Sequence, residues 1–360
     1  MRQIQANNYK VEMGNLTNSS FQNLLSSKYI NSKKVILVDE NTHDFCLEYL
    51  LTTFDELKEA EVMLLPVGEE NKVMEVCFQV WEALSEYKIG RKDVIINLGG
   101  GIVSDMGGFI ASIYKRGIDF INIPTTLLSM VDASIGGKTG IDLGRHKNQL
   151  GTFTDPVAIY VDLLFLQTLP QCEILNGYAE MLKHALIFDK EYWNELTSIT
   201  SMNDLLDIEK IHTSIILKNK VVEADPSEKN ERKKLNFGHT IGHSLEGLFL
   251  SENPISHGHA VGIGMLGEAF LSYKREILSE ASYLEIKTVL IAVFPAILFE
   301  KEDIPVLIEL IKNDKKNFAG QIKCCILPEI GNCLFDQTVG EQELIEVFEF
   351  LLTLNELDNH

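Results

Sequence analysis

The chain has 360 residues, 45% of them hydrophobic and 23% charged, with a formal net charge of −20, which suits about two globular domains. So acidic a field repels polyanions and speaks against nucleic acid or an anionic membrane surface as partner; an anionic small molecule stays open where local cations override that field. No run of about 18 apolar residues offers a membrane span, and the opening MRQIQANNYK lacks the apolar core of a signal peptide, so a cytoplasmic location is expected.

The first half alternates short β-branched runs with helical patterns. KVILVD (34–39), VMLLPV (62–67), DVIINLGGG (93–101) and DFINIPTT (119–126) are the runs, and KVMEVCFQVWEAL is one of the amphipathic segments between them. That alternation predicts a parallel sheet flanked by helices. Asp39, at the carboxyl end of the first run, suits a ribose hydroxyl or a helix cap. The third run enters a glycine triplet and then a helical pattern, the arrangement that sets backbone N–H groups against a pyrophosphate. The match to G-x-G-x-x-G is incomplete, because Ser104 stands where a third glycine would follow Gly99 and Gly101. A plain tight turn is the competing reading. From about Gln171 onward the texture changes to long helical patterns such as ILNGYAEMLKHALIF, DIEKIHTSIILKNKVVEAD and ELIEVFEFLLTLNEL, with few strand signals beyond KCCILP. The change predicts a domain boundary near residue 170. The six cysteines (Cys46, Cys77, Cys172, Cys324, Cys325 and Cys333) are scattered without CxxC spacing and are expected as reduced, partly buried thiols.

In the helical half LNFGHTIGHSLEG places His239 and His243 one turn apart, so both imidazoles can share one helix face. A metal site needs at least a third ligand, with imidazole and carboxylate suited to Zn, Co, Fe or Mn. Glu180 and His184 in GYAEMLKH, and His257 or His259 in SHGHAVGIGM, are the candidates that spacing leaves open. Cations recur beside glycines and small polar residues: Arg116, Lys138, Lys147 next to Asn148, Lys183, Lys218, Arg232, Lys315 and Lys316. Each alone reads as a solvated surface charge, but in so acidic a chain cations in glycine-rich turns suit a phosphate or carboxylate substrate. Together these features suggest a two-domain enzyme using a dinucleotide, a divalent metal and an anionic polyol-like substrate for hydride transfer.

Read in order, GGGIVSDMGGF, PTTLLSMVDASIGGKTGI, GYAEMLKH, LNFGHTIGH and HGHAVGIGM resemble the 3-dehydroquinate synthase family of sugar-phosphate cyclases, over roughly Val35 to Gly331. The resemblance implies a Rossmann-like parallel-sheet α/β domain that binds NAD over 1–170, an all-helical domain over 171–360 that binds metal and substrate, and a homodimer. It implies conversion of 3-deoxy-D-arabino-heptulosonate 7-phosphate to 3-dehydroquinate and phosphate in the shikimate pathway. The steps expected are transient oxidation by NAD, phosphate elimination, re-reduction, ring opening and intramolecular aldol closure.

Carried over residue by residue, the resemblance makes Glu180, His239 and His257 the ligands of Zn2+ or Co2+, with His184 and His259 outside the set. His243, Glu228 and Lys183 take catalytic roles, His243 as a proton-transfer residue near the substrate phosphate. Substrate contacts fall on Asp132, Lys138, Asn148, Lys218, Arg232, Asn236 and Lys315, with Arg116 contributed to the partner subunit's site. NAD contacts fall on Asp39, Asn41, Glu69, Lys72, Gly100, Gly101, Asp105, Thr125, Thr126, Lys147 and Thr168. Two segments depart from the family pattern: His146 in RHKN, where glycine is usual before Lys-Asn, and PSEKNER after Asp225. Three other readings compete: a cyclase forming an inosose or valiolone, a metal-dependent polyol dehydrogenase that would release NADH, and an inactive NAD-binding scaffold.

Overall fold

Apolar β-branched runs make adjacent parallel strands, the central ones buried on both faces. In the computed structural model, which describes residues 1–144, 146–199, 201–249, 254–313 and 321–357, the four runs become β3 (Lys34–Asp39), β4 (Glu61–Leu65), β5 (Val94–Gly99) and β6 (Asp119–Pro124). They join β1 (Arg2–Gln5), β2 (Lys10–Met13) and β9 (Ala158–Val161) in a seven-stranded sheet of order β1-β2-β9-β6-β5-β3-β4. All neighbours in it are parallel except the antiparallel β1–β2 edge pair. A separate hairpin, β7 (Lys138–Leu143) with β8 (His146–Phe153), follows β6.

Helices α1 (Met74–Glu86) and α2 (Gly101–Ile113) cover the sheet. Val35, Leu37 and Ile95 from the strands pack with Cys77 and Leu84 of α1 and Val103, Met106 and Ile110 of α2 in one core cluster. Each such side chain stabilises the fold by about 1.5–3 kcal/mol relative to leaving it in water. Trp81 fixes α1 to α2 by donating its indole N–H to the Ile110 carbonyl at 3.1 Å.

The chain divides into two compact units, Met1–Gly177 with Leu206–Glu223, and Tyr178–Leu205 with Ala224–His360. The long helix α3 (Gln171–Phe188) passes from the first unit into the second, and α4 (Ile208–Ala224) belongs almost wholly to the sheet-bearing unit. The second unit is built on α5 (His239–Leu248), α6 (His257–Lys274), α7 (Ile304–Lys312) and α8 (Glu341–Leu357). It also carries a two-stranded hairpin, β10 (Ile322–Glu329) with β11 (Asn332–Val339). KCCILP is the first of those strands. The second, NCLFDQTV, alternates buried and more exposed positions and gives only a weak apolar signal. The six cysteines are free thiols, all buried except Cys172. Among the described residues no helix is long and apolar enough to cross a membrane.

Candidate functional site

In the sheet-bearing unit β3 and β5 are neighbours from which the chain leaves in opposite directions, β3 towards β4 and β5 towards β6. Their carboxyl ends form a topological switch point, the place where open α/β sheets take ligands. Asp39 ends β3, and Gly100 and Gly101 open α2 directly after β5. Thr125 is tied to the same edge by its N–H on the Gly99 carbonyl at 3.0 Å, and Thr126 follows it. Asp39 also acts as a helix cap: its Oδ1 accepts the Thr42 N–H at 2.8 Å in a reciprocal capping box. Asn41 is exposed within that short turn.

One turn into α2, Asp105 meets a buried lysine. The Lys72 ammonium donates to Asp105 Oδ2 at 2.6 Å and to Asn148 Oδ1 at 2.7 Å, with Glu69 Oε1 at 3.9 Å. Burial alone would pull the Lys72 pKa down; the facing carboxylates of Asp105 and Glu69 outweigh it and hold it above the usual lysine range. Sequence reasoning missed Asp142, which stitches this cluster. Its N–H bonds the Lys72 carbonyl at 2.7 Å, and its Oδ1 accepts the Asn148 N–H at 2.6 Å. Asn148 needs that support, since its φ of +52 is unusual for a residue with a side chain. A second ion pair in this unit joins Lys218 Nζ to Asp132 Oδ1 at 2.7 Å. Lys138 opens β7, Lys147 lies on β8 and Thr168 is exposed at the end of a 3-10 turn. The Lys147 charge acts on the Asp142 carboxylate of the Lys72 cluster. Arg116 is exposed in a turn where Lys115, Arg116 and Gly117 all have positive φ (50, 69 and 107).

In the helical unit, α5 and α6 approach backbone to backbone. A Cβ on Gly264 would stand 1.9 Å from the Gly238 carbonyl oxygen and 2.7 Å from the Gly242 nitrogen, so only glycine permits this crossing. His239 and His257 are the first residues of the two helices, and the crossing leaves their rings 5.5 Å apart between centroids. Glu180 of α3, fully buried, completes the group, its Oε1 standing 3.5 Å from the Nε2 of each imidazole. Its Oε2 forms a close ion pair with Lys183, one turn on.

Hydrogen bonding decides what this group can hold. The His239 Nδ1 faces the Phe237 carbonyl at 3.1 Å, and a carbonyl only accepts, so Nδ1 carries a proton and the neutral ring keeps its lone pair on Nε2. That lone pair then points at a carboxylate oxygen, so two acceptors face each other with room for a cation between them. Ligand atoms around a tetrahedral cation with bonds of about 2.1 Å stand about 3.4 Å apart, close to the 3.5 Å seen on both edges from Glu180. One carboxylate and two imidazoles also form a donor set suited to zinc or cobalt. Burial opposes a charge on His257, yet the carboxylates of Glu246 and Glu180 overcome it and raise its pKa to about 10. Positive charge is what the pocket stabilises. A second group, His243, Glu246 and His257, also has its ligand atoms within 4.8 Å of one another and shares His257. His243 stands beside the first triad, its ring centroid 5.1 Å from that of His239.

The departing segment 225–236 is organised by Asp225, which sequence reasoning also missed. Its carboxylate accepts the N–H groups of Lys229 (3.0 Å), Asn230 (2.6 Å) and Arg232 (3.2 Å). Burial would raise its pKa, but these three bonds prevail and lower it. A carboxylate followed by PSEKN in a turn was the available signal. The loop so formed holds Arg232 buried with its Nη1 on the Pro226 carbonyl at 2.8 Å, and sets Glu228 Oε1 to accept from Asn236 at 2.9 Å. Lys315 lies outside the described residues, as does Arg145 beside His146.

Residues 62–176 match the family described as 3-dehydroquinate synthase N-terminal, and residues 177–317 match 3-dehydroquinate synthase C-terminal. A 3-dehydroquinate synthase of Parabacteroides distasonis is 41% identical over 341 residues, covering 92% of this chain and 94% of its own. Another, from Clostridium botulinum, is 37% identical over 326 residues, covering 89% and 92%. Among solved structures, a 2-epi-5-epi-valiolone synthase from Streptomyces hygroscopicus subsp. jinggangensis, with NAD+ and Zn2+ bound, has a TM-score of 0.83 at 26% identity, covering 98% of this chain and 99% of that one. A 2-deoxy-scyllo-inosose synthase shares the fold with a TM-score of 0.81 at 23% identity, covering 98% and 99%. Two family matches that meet at Gly177, and relatives similar over nine-tenths of the length, agree with the architecture found here: the chain belongs to the 3-dehydroquinate synthase family.

Proposed function

We propose that the protein is a 3-dehydroquinate synthase, a carbon–oxygen lyase that converts 3-deoxy-D-arabino-heptulosonate 7-phosphate to 3-dehydroquinate and phosphate on the shikimate route to chorismate and the aromatic amino acids. The observation that carries this reading is the convergence of Glu180 Oε1 on the Nε2 atoms of His239 and His257 at 3.5 Å, in a chain 41% identical to a named synthase. Those three residues hold a divalent cation, Zn2+ or Co2+, which when bound polarises a substrate hydroxyl. NAD, held at the switch point by Asp39, Asn41, Glu69, Lys72, Gly100, Gly101, Asp105, Thr125, Thr126, Lys147 and Thr168, supplies a hydride acceptor that is restored within each turnover.

The chain's own residues bind, orient and move protons. Lys138, Asn148, Lys218, Arg232, Asn236 and Lys315 bind the substrate's phosphate and carboxylate, with Asp132 orienting Lys218 through their 2.7 Å ion pair. Lys183 compensates the charge of Glu180 and stabilises negative charge developing on substrate. His243, half-buried beside the triad, transfers a proton at its imidazole; Glu228, steadied by Asn236, holds another at its carboxylate. The sheet-bearing part, 1–170, is the NAD-binding domain, and 171–360 binds metal and substrate. Two chains pair as a cytoplasmic homodimer, and the exposed Arg116, fixed in its positive-φ turn, serves the partner subunit's site.

Phosphate release tests the assignment. The seven-carbon ketose phosphate is expected to liberate one equivalent of phosphate with NAD and zinc present, and none after chelation. NADH formation from a simple polyol, without phosphate release from the ketose phosphate, would instead identify a dehydrogenase.

A further inference from the structure

Along α5, His239, His243 and Glu246 follow at i, i+4 and i+7 and so share one face. Glu246 is buried, and both its oxygens stand 3.4 Å from Nδ1 of His257, the ring nitrogen turned away from Glu180. His239 is held in a parallel way, its Nδ1 on the Phe237 carbonyl. Each imidazole therefore has an acceptor behind it and the Glu180 carboxylate in front.

We infer that Glu246 is a positioning residue for the cation site: by accepting the Nδ1–H of His257 it fixes the tautomer and ring orientation that leave the Nε2 lone pair aimed at the point shared with Glu180 and His239. This rests on the reading of Glu180, His239 and His257 as the cation ligands and adds a residue behind them. A carboxylate in that place also makes the imidazole a stronger donor, and losing such a partner weakens metal binding by about 10–100-fold. The same geometry explains why His243, Glu246 and His257 lie close enough to form a second group without being a second site. In that group His257 would have to ligate through Nδ1, while its Nε2 proton would occupy the space before Glu180.

The experiment is a chelator-competition titration of the full chain with cobalt(II), recording both affinity and the visible ligand-field spectrum. Wild type and His243→Ala are expected to bind one equivalent alike, and His239→Ala none. Glu246→Gln, close in size to glutamate but unable to act as an anionic acceptor, is expected to bind one equivalent about 10–100-fold more weakly with a shifted spectrum. Glu246→Asp is expected to recover part of the affinity, which a purely steric role for Glu246 would not produce. Glu246→Gln with wild-type affinity and spectrum overturns the inference. So does complete loss of cobalt in both Glu246→Gln and His243→Ala, which would make those residues ligands. Should Glu246→Gln lose its helical circular dichroism, Glu246→Asp decides: folded and weakened supports the assignment, folded and unaltered overturns it. Failure of wild type itself to bind cobalt would remove the ligand reading, and the inference with it.

Discussion

Two buried charged clusters, one in each unit, are built in opposite ways. At the Lys72 cluster of the sheet-bearing unit donors and acceptors are already matched: the Lys72 ammonium sits between the carboxylate of Asp105 and the amide oxygen of Asn148. In the helical unit the His239 lone pair and the Glu180 carboxylate oppose each other at 3.5 Å, a pairing that is satisfied only when positive charge is supplied. A binding place can thus be marked by an electrostatic mismatch among side chains, or by topology alone, as at the carboxyl ends of β3 and β5.

The largest expected effect separates ligand from neighbour. His239→Ala should abolish metal binding by elemental analysis and lower turnover by on the order of a thousandfold. His243→Ala should keep its metal while losing on the order of 10²–10⁴-fold in turnover. Equal metal loss in both variants would dissolve the contrast between the two histidines.

Removing the matched cation tests the other unit. Lys72→Ala strips the partner from a carboxylate that is only 19% exposed. Breaking such a pair should cost about 3 kcal/mol of stability in denaturant titrations. It should also weaken NAD binding while leaving metal content unchanged; unaltered NAD affinity would remove the Lys72 cluster from the cofactor site.

Packing comes next. Gly264→Ala forces a methyl into a gap of 1.9 Å from the Gly238 oxygen, so α5 and α6 must separate, at about 1–3 kcal/mol. Because His239 and His257 begin those helices, metal affinity should fall together with the melting temperature. A loss of stability with affinity intact would show that the crossing does not set the ligand spacing.

The smallest effect is one of pH. In the cation-free protein the His257 pKa is raised from 6.5 to about 10, and a cation must displace that proton. Metal affinity should therefore rise about tenfold per pH unit and level off near pH 10. The sign for stability is the reverse. Since the folded value lies above 6.5, the contribution of this proton to chelated protein is complete below pH 6.5 and is lost as pH rises through about 10. Affinity measured at several pH values, and melts of chelated protein over the same range, check both statements.

What could be read from the sequence follows the same division. β3, β5 and β6 were legible because strands buried on both faces are continuous apolar runs. β1 and β2, reading RQIQ and KVEM, are short and mostly polar, and the β7–β8 hairpin is glycine-rich. Their pairing comes from tertiary contacts, which a local pattern does not carry. The HxxxH spacing pointed to His239 with His243, whereas the structure sets His239 and His257 together before Glu180. The crossing of two consecutive helices, α5 and α6, made that choice, and family resemblance, not spacing, supplied His257. Asp142 and Asp225 carry no distinctive signal, because they bind backbone N–H groups and any turn aspartate offers the same local pattern.

The most direct test of the whole account is the number of products formed per NAD. With the ketose phosphate in large excess over NAD, in the presence of zinc, phosphate should exceed NAD many times over while NADH absorbance stays flat. Phosphate that stops at one equivalent per NAD, with NADH accumulating to match, would contradict internally recycled redox chemistry and with it the synthase assignment.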